Sequence, residues 1–243
     1  MKIYTYYEEI NFSQQKEMLE LWSKSWAQMG FETIVLGEED AKKSPDYDLF
    51  VAKMQFIFNE ITGQELSSYG LSCFVRWLAY STVENKQEKF LVSDYDVINS
   101  GGWKTSDPLI DGLHLFDGAC PCMASGTALD FKNLCDLFFE ITVKRIDTLK
   151  EQANHYHDQE FFLYNFVDKF NKDSKSLKEK HNITLTRKRN EDVAPFLPAL
   201  PRAYHVSHHN VDMLMKKYPE KYGTMEDSQV RIEVIKEILN KNS

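Results

Sequence analysis

Asp94 and Asp96 end an apolar run in Lys89-Phe90-Leu91-Val92-Ser93-Asp94-Tyr95-Asp96-Val97-Ile98. Phe90, Leu91 and Val92 have the continuous apolar character of a strand buried on both faces of a parallel sheet. In an extended segment residues i and i+2 point to the same side, so the pattern predicts that both carboxylates converge at the carboxyl end of that strand. Open α/β sheets bind their ligands there. Two carboxylates brought together repel unless a cation lies between them, and a divalent metal holding a diphosphate is the natural occupant. The plainer alternative is a pair of turn residues.

The elements before this strand alternate. Lys2–Tyr7 reads as a first strand. Phe12–Met29 reads as a helix, with Ser13 as its cap and Met18, Leu19, Leu21, Trp22, Trp26 and Met29 as its apolar stripe. Gly30 stops it, and Glu32–Leu36 is a second strand. Strand, helix and strand in this order open a doubly wound sheet with a right-handed crossover. Leu49–Ile61 and Gly70–Glu84 read as helices, and Ser100-Gly101-Gly102 as a turn. Further on, Leu113–Phe116 and Ala119–Ala124 read as extended, Phe131–Gln152 and Asp158–Phe170 as helices, Ile183–Leu185 and Arg202–Val206 as strands, and Met225–Leu239 as a closing amphipathic helix. The expected class is α/β: one domain over residues 1–243, with a mostly parallel, Rossmann-like sheet flanked by helices and a mixed subregion after residue 100.

Charge and cysteine usage narrow the function classes. A net charge of −8 argues against a general nucleic-acid binder. From Lys169 to Asn190 the balance reverses, with eight basic and two acidic residues. That stretch reads either as a solvated connection or as a basic loop over an anionic ligand. Cys120-Pro121-Cys122 is too tight for the usual zinc spacing, and Cys73 and Cys135 sit in apolar helical contexts. These are expected to be reduced thiols of a cytoplasmic protein. No run approaches the ~18 apolar residues of a membrane span, and Met1–Tyr7 lacks the apolar core of a signal peptide.

Phe74-Val75-Arg76-Trp77-Leu78-Ala79-Tyr80, followed by Phe90-Leu91-Val92-Ser93-Asp94-Tyr95-Asp96, resembles the sugar-nucleotide core of GT-A glycosyltransferases. In that class an Arg-bearing helix precedes a strand ending in Asp-x-Asp. His157-Asp158-Gln159-Glu160 is similar to the class's Asp-Gln segment, and Ala203-Tyr204-His205 to its late strand carrying a metal-binding His. The Gly-Gly that often precedes the metal strand is replaced by Glu84-Asn85-Lys86-Gln87-Glu88.

The resemblance implies a nucleotide-diphosphate sugar donor, UDP-linked in preference to GDP-linked, and a glycan or other hydroxyl acceptor. It implies Mn²⁺ or Mg²⁺ held by Asp94, Asp96 and His205. Tyr4, Tyr6, Tyr7, Arg76 and Asp94 would contact the donor, and Ser125-Gly126 would let backbone approach the sugar. The plain alternative for Ser125-Gly126 is a turn. His208 is a reserve metal ligand or a phosphate contact. Asp158 and Gln159 would lie near the reacting sugar, with helix capping as the alternative for Asp158. Asp158-Gln159 resembles retaining families more than inverting ones. Arg76 either pairs with the first acid or the nucleotide, or is an exposed helical Arg; a planar guanidinium suits the first role. Trp103 and Trp77 are further stacking candidates, with Trp77 expected in the core. The rivals are a metal-dependent phosphohydrolase or nucleotidyltransferase and a non-catalytic sugar-nucleotide-binding protein.

Overall fold

The computed structural model describes residues 1–9, 15–116, 122–144, 146–152, 179–185, 193–195 and 202–241. It is a mixed α/β structure built on a six-stranded sheet. The strands are β1 (Lys2–Tyr6), β2 (Glu32–Leu36), β3 (Phe90–Ser93), β5 (Leu113–Leu115), β6 (Met123–Gly126) and β7 (Ile183–Leu185), in the order β2-β1-β3-β6-β5-β7. The pairing β1–β2 is parallel, from Lys2 opposite Glu32 to Tyr6 opposite Leu36. β3 lies parallel on the other side of β1, with Ile3 opposite Leu91. β6 runs antiparallel to both β3 and β5, and β7 runs parallel to β5. Thus β6 alone reverses direction among these six strands. A second sheet, β4 (Val97–Asn99), β9 (Ala203–His205) and β8 (Val193–Pro195), stands beside it.

Alternation along the strands feeds two cores. Ile3 and Leu91 point to one face, where they meet Trp22 and Trp26 of helix α1 (Gln15–Ala27) and the apolar side of the closing helix. Tyr4, Phe90 and Val92 point to the other face and meet helices α3 (Tyr47–Thr62), α4 (Ser68–Ser81) and α5 (Ala128–Lys144). This is the two-residue period of a strand covered on both faces. Trp77 and Phe131 stack with ring centres 6.1 Å apart, and Phe131 also stacks on Phe90.

Local chemistry sets the helix ends. The Ser67 hydroxyl accepts from Gly70 N at 3.0 Å and caps α4. Gly30 takes φ +83, the left-handed region a glycine enters freely, and closes the turn between α1 and β2. A short helix α2 (Glu38–Ala41) follows β2. Over the expected helix Phe131–Gln152 the described residues are helical on both sides of position 145, as α5 and α6 (Ile146–Gln152), and residue 145 itself lies outside the described residues. The chain ends in α7 (His208–Lys217), α8 (Pro219–Tyr222) and α9 (Asp227–Lys241). Two of these, α7 and α8, have no counterpart in the periodicity reading. The Ser13 cap, the Asp158–Phe170 helix, Cys120 and most of the basic stretch lie outside the described residues. No helix among the described residues is long and apolar enough to cross a membrane.

Candidate metal and nucleotide site

The two acids converge by a route other than the expected one. β3 stops at Ser93, and Asp94-Tyr95-Asp96 is a tight turn closed by Val97 N donating to Asp94 O at 3.0 Å. The turn then enters β4. Two indoles of α1 brace it from below. Trp22 Nε1 donates to Ser93 Oγ at 2.9 Å, and Trp26 Nε1 donates to Val97 O at 3.0 Å. Both tryptophans are buried, so these bonds also satisfy groups that would otherwise be costly to desolvate.

His205 arrives through sheet pairing. β4 and β9 are antiparallel with Val97 opposite His205, and Val206 N donates to Asp96 O at 2.9 Å. The register therefore lays the His beside the second acid, more than a hundred residues away in sequence. One candidate ligand atom from each of Asp94, Asp96 and His205 lies within 4.8 Å of the others. Asp96 Oδ1 is buried with no hydrogen-bond partner, and His205 Nε2 stands 3.5 Å from it. Two carboxylates and an imidazole are a donor set suited to Mn²⁺ or Mg²⁺, and the orphaned oxygen is an acceptor that such an ion would satisfy. The residues present fit a divalent cation.

These acids lie in the wall of a cavity of about 530 Å³, within the range of small-molecule sites. Helix α4 contributes Tyr69, Ser72, Cys73 and Arg76, spaced i, i+3, i+4, i+7 along one face. Its other face, with Phe74, Trp77 and Leu78, is core. Arg76 Nη1 pairs with Asp94 Oδ1, which decides for the paired reading of this Arg over the exposed one. Gln15 and Met18 of α1, Tyr6 at the end of β1, and Tyr95 form another part of the wall. Gln15 Nε2 donates to Tyr95 OH at 3.1 Å. Burial, with the Asp96 charge added, pushes the Tyr95 phenol up to about 12, so it stays a neutral donor at ordinary pH.

The last part comes from α9. Arg231 is 2% exposed and makes three contacts. Its Nε donates to Val206 O at 2.9 Å, its Nη2 to Asp96 Oδ2 at 2.6 Å, and its Nη1 lies 2.9 Å from His208 Nε2. An imidazole accepting at Nε2 carries its proton on Nδ1, where the Asp227 carboxylate accepts it. Burial opposes ionisation of Asp96, but His205 and Arg231 outweigh it and hold that carboxyl well below the usual range. At Asp94 burial wins over Arg76, with the Asp96 charge acting in the same direction, and its carboxyl is raised. The environment thus separates two acids of the same type.

The structure does not gather all the residues expected at the site. Tyr6 lines the cavity, whereas Tyr4 packs edge-on against Phe90, 4.8 Å between ring centres. The two share one face of β1, and only Tyr6, at the carboxyl end of the strand, reaches the cavity, so Tyr4 is a core residue here. Tyr7 packs edge-on against Tyr95, 5.9 Å between centres. Ser125 and Gly126, expected beside the sugar or else in a turn, form neither a wall of the cavity nor a turn. They are buried within β6, opposite Leu91 and Phe90. Trp103 is buried against Phe116 with the Arg202 guanidinium over its ring, away from the cavity, and Trp77 is core. His208 meets the acids through Arg231. His157, Asp158, Gln159 and Glu160 lie outside the described residues. Cys73 lines the cavity, and Cys122 and Cys135 are buried.

Arg231 was not legible as a site residue. Its sequence signal is a single charge inside Val230-Arg231-Ile232, on the buried side of an apolar helix. A lone buried charge demands a partner, but sequence does not say which one.

No protein family matches the chain, and no curated protein is detectably similar to it. Among solved structures, the chain is similar to the galactosyltransferase LgtC in complex with donor and acceptor sugar analogues. The TM-score is 0.41 and the identity 10%, over 84% of this chain and 86% of that one. A likeness of that degree carries nothing about the site, and the functional reading rests on the side chains described above.

Proposed function

We propose that the protein is a metal-dependent glycosyltransferase that takes a sugar from a nucleotide-diphosphate donor, UDP-linked in preference, to a glycan or other hydroxyl acceptor. The observation that carries this is the meeting of Asp94, Asp96 and His205 in a cavity-wall group, with Asp96 Oδ1 buried without a hydrogen bond and 3.5 Å from His205 Nε2. Each acid already touches an arginine. A divalent ion added to this balanced pair leaves positive charge, which calls for an anionic co-ligand such as a diphosphate. When bound, the ion supplies neutralisation of the leaving diphosphate.

The chain's own residues then divide the work. Asp94, Asp96 and His205 hold the ion, and Arg76 orients Asp94. The aromatic wall of Tyr6 and Tyr95, with Gln15, receives the nucleoside. Asp158 and Gln159 stand near the reacting sugar, on the sequence pattern alone, and a retaining outcome follows the same pattern. On this reading the chain is one catalytic unit, with a nucleotide-sugar half over residues 1–100 and an acceptor half over 101–243. A two-metal phosphohydrolase would need more acids around the ion. Among the described residues a single group of three ligands has the required geometry.

The test is a thermal-shift screen of nucleotide sugars with and without Mn²⁺, on the protein and on Asp96→Asn. We expect a metal-dependent rise with a UDP-sugar that Asp96→Asn abolishes. Unchanged metal-dependent binding in that variant removes the assignment. Release of free sugar phosphate, with no glycoside formed, would favour the phosphohydrolase.

A further inference from the structure

We propose that Arg231 makes cation binding at the Asp94–Asp96–His205 site conditional on a bound diphosphate. This rests on the metal reading above and deepens it. The Arg231 guanidinium is 2% exposed and fixed by Val206 O and His208 Nε2 as well as by Asp96. Two of its three partners are therefore not the acid. Occupation of Asp96 by a metal ion would not release the guanidinium, which remains a permanent positive charge beside the ligand. Arg76 places a second guanidinium against Asp94.

Between the two acids and the arginines that touch them, the balance is two carboxylates against two guanidinium groups. A dication entering alone meets ligand acids that are each already paired, and it meets two largely buried like charges. A diphosphate entering with it restores neutrality and gives both arginines anionic oxygens to face. Glu226 and Asp227 also line the cavity, and Asp227 is engaged with His208. They add negative charge to the cavity wall, whereas the group with ligand geometry is the paired acids with His205. The geometry of Asp96 supports the same division. Arg231 takes Oδ2 at 2.6 Å and leaves Oδ1 as the one oxygen for an ion.

The experiment measures Mn²⁺ binding to the full chain by electron paramagnetic resonance, with Mn²⁺ alone and with inorganic pyrophosphate. The spectrum separates free Mn²⁺, its pyrophosphate complex in solution and the protein-bound ion. We expect pyrophosphate to tighten Mn²⁺ binding by at least about tenfold. In Arg231→Gln, Mn²⁺ alone should bind about tenfold tighter than in the parent, and the pyrophosphate effect should shrink by a similar factor. Arg231→Lys, which keeps the charge, should retain the coupling of the parent. Equal affinity with and without pyrophosphate in the parent protein overturns the proposal while leaving the metal site standing. So does a folded Arg231→Gln whose affinity for Mn²⁺ alone is unchanged. Should Arg231→Gln fail to fold, Arg231→Met, which removes the charge and keeps the apolar stem, takes its place with the same two outcomes. Absence of bound Mn²⁺ under both conditions overturns the metal reading instead.

Discussion

Arg231 Nη2 lies 2.6 Å from Asp96 Oδ2, joining residues 135 positions apart. The contact ties the closing helix to the turn that carries the acids. Both side chains are largely removed from solvent, at 3% and 13% exposure. Loss of one partner from such a pair strands the other charge in a poorly solvated place. We expect Arg231→Ala to lower unfolding free energy by about 3–5 kcal/mol, measured by urea denaturation. The double variant Arg231→Ala with Asp96→Asn should recover part of that loss, because no unpaired charge remains. Additive losses would show that the pair is not coupled.

Asp96 also sets a pH dependence. Its carboxyl is held below the ordinary value of 3.8 by His205 and Arg231 against the effect of burial. A carboxyl depressed in the folded state stabilises the fold above its unfolded value, and that contribution is lost as pH falls through the folded value. The stability difference between the parent and Asp96→Asn should therefore shrink as pH falls below about 4. Chemical denaturation at a series of pH values measures it. A difference that grows with acidification below that pH would contradict the assignment of the charge.

The braces under the turn are separable from its chemistry. Trp22→Phe keeps most of the ring packing and removes the donor to Ser93 Oγ. A buried hydroxyl left without its partner costs about 1–3 kcal/mol, and the loss should appear in the melting temperature. Ser93→Ala combined with Trp22→Phe should cost less than Trp22→Phe alone, since the stranded hydroxyl is gone. The same loss in both variants would place the effect in packing.

Gly112 tests the far side of the sheet. It holds φ +79, and a Cβ placed there would lie 2.1 Å from Asn182 O. That oxygen accepts from Leu113 N at 3.1 Å, where β5 meets β7. Gly112→Ala combines a strained backbone with a clash against main chain, and we expect a loss of at least about 2 kcal/mol. Far-ultraviolet circular dichroism during thermal melting would show it. A neutral substitution would mean that this strand pairing is dispensable.

Much of the frame is written in local patterns. The apolar run Phe90–Ser93, the helix stripe of Met18, Trp22 and Trp26, and the stop at Gly30 each follow from neighbours in sequence. They depend on periodicity and backbone conformation, which a short window carries. Arg76 was visible as a candidate because helix and acid strand stand close together in the chain. Tyr4 and Ser125-Gly126 were misplaced for a different reason. How far along a strand a cavity reaches, and which strands border it, depends on what packs around the sheet, and the strand's own residues do not say.

Sequence alone determined the acid pair, the opening strand–helix–strand unit and the α/β class, because these rest on spacing between near neighbours. Tertiary structure decided which distant groups complete the site. The β4–β9 register brings His205 to Asp96, and the docking of α9 brings Arg231 to the same carboxylate. Pairing and docking of this kind are settled by burial and charge balance over the folded chain, so no segment read by itself contains them.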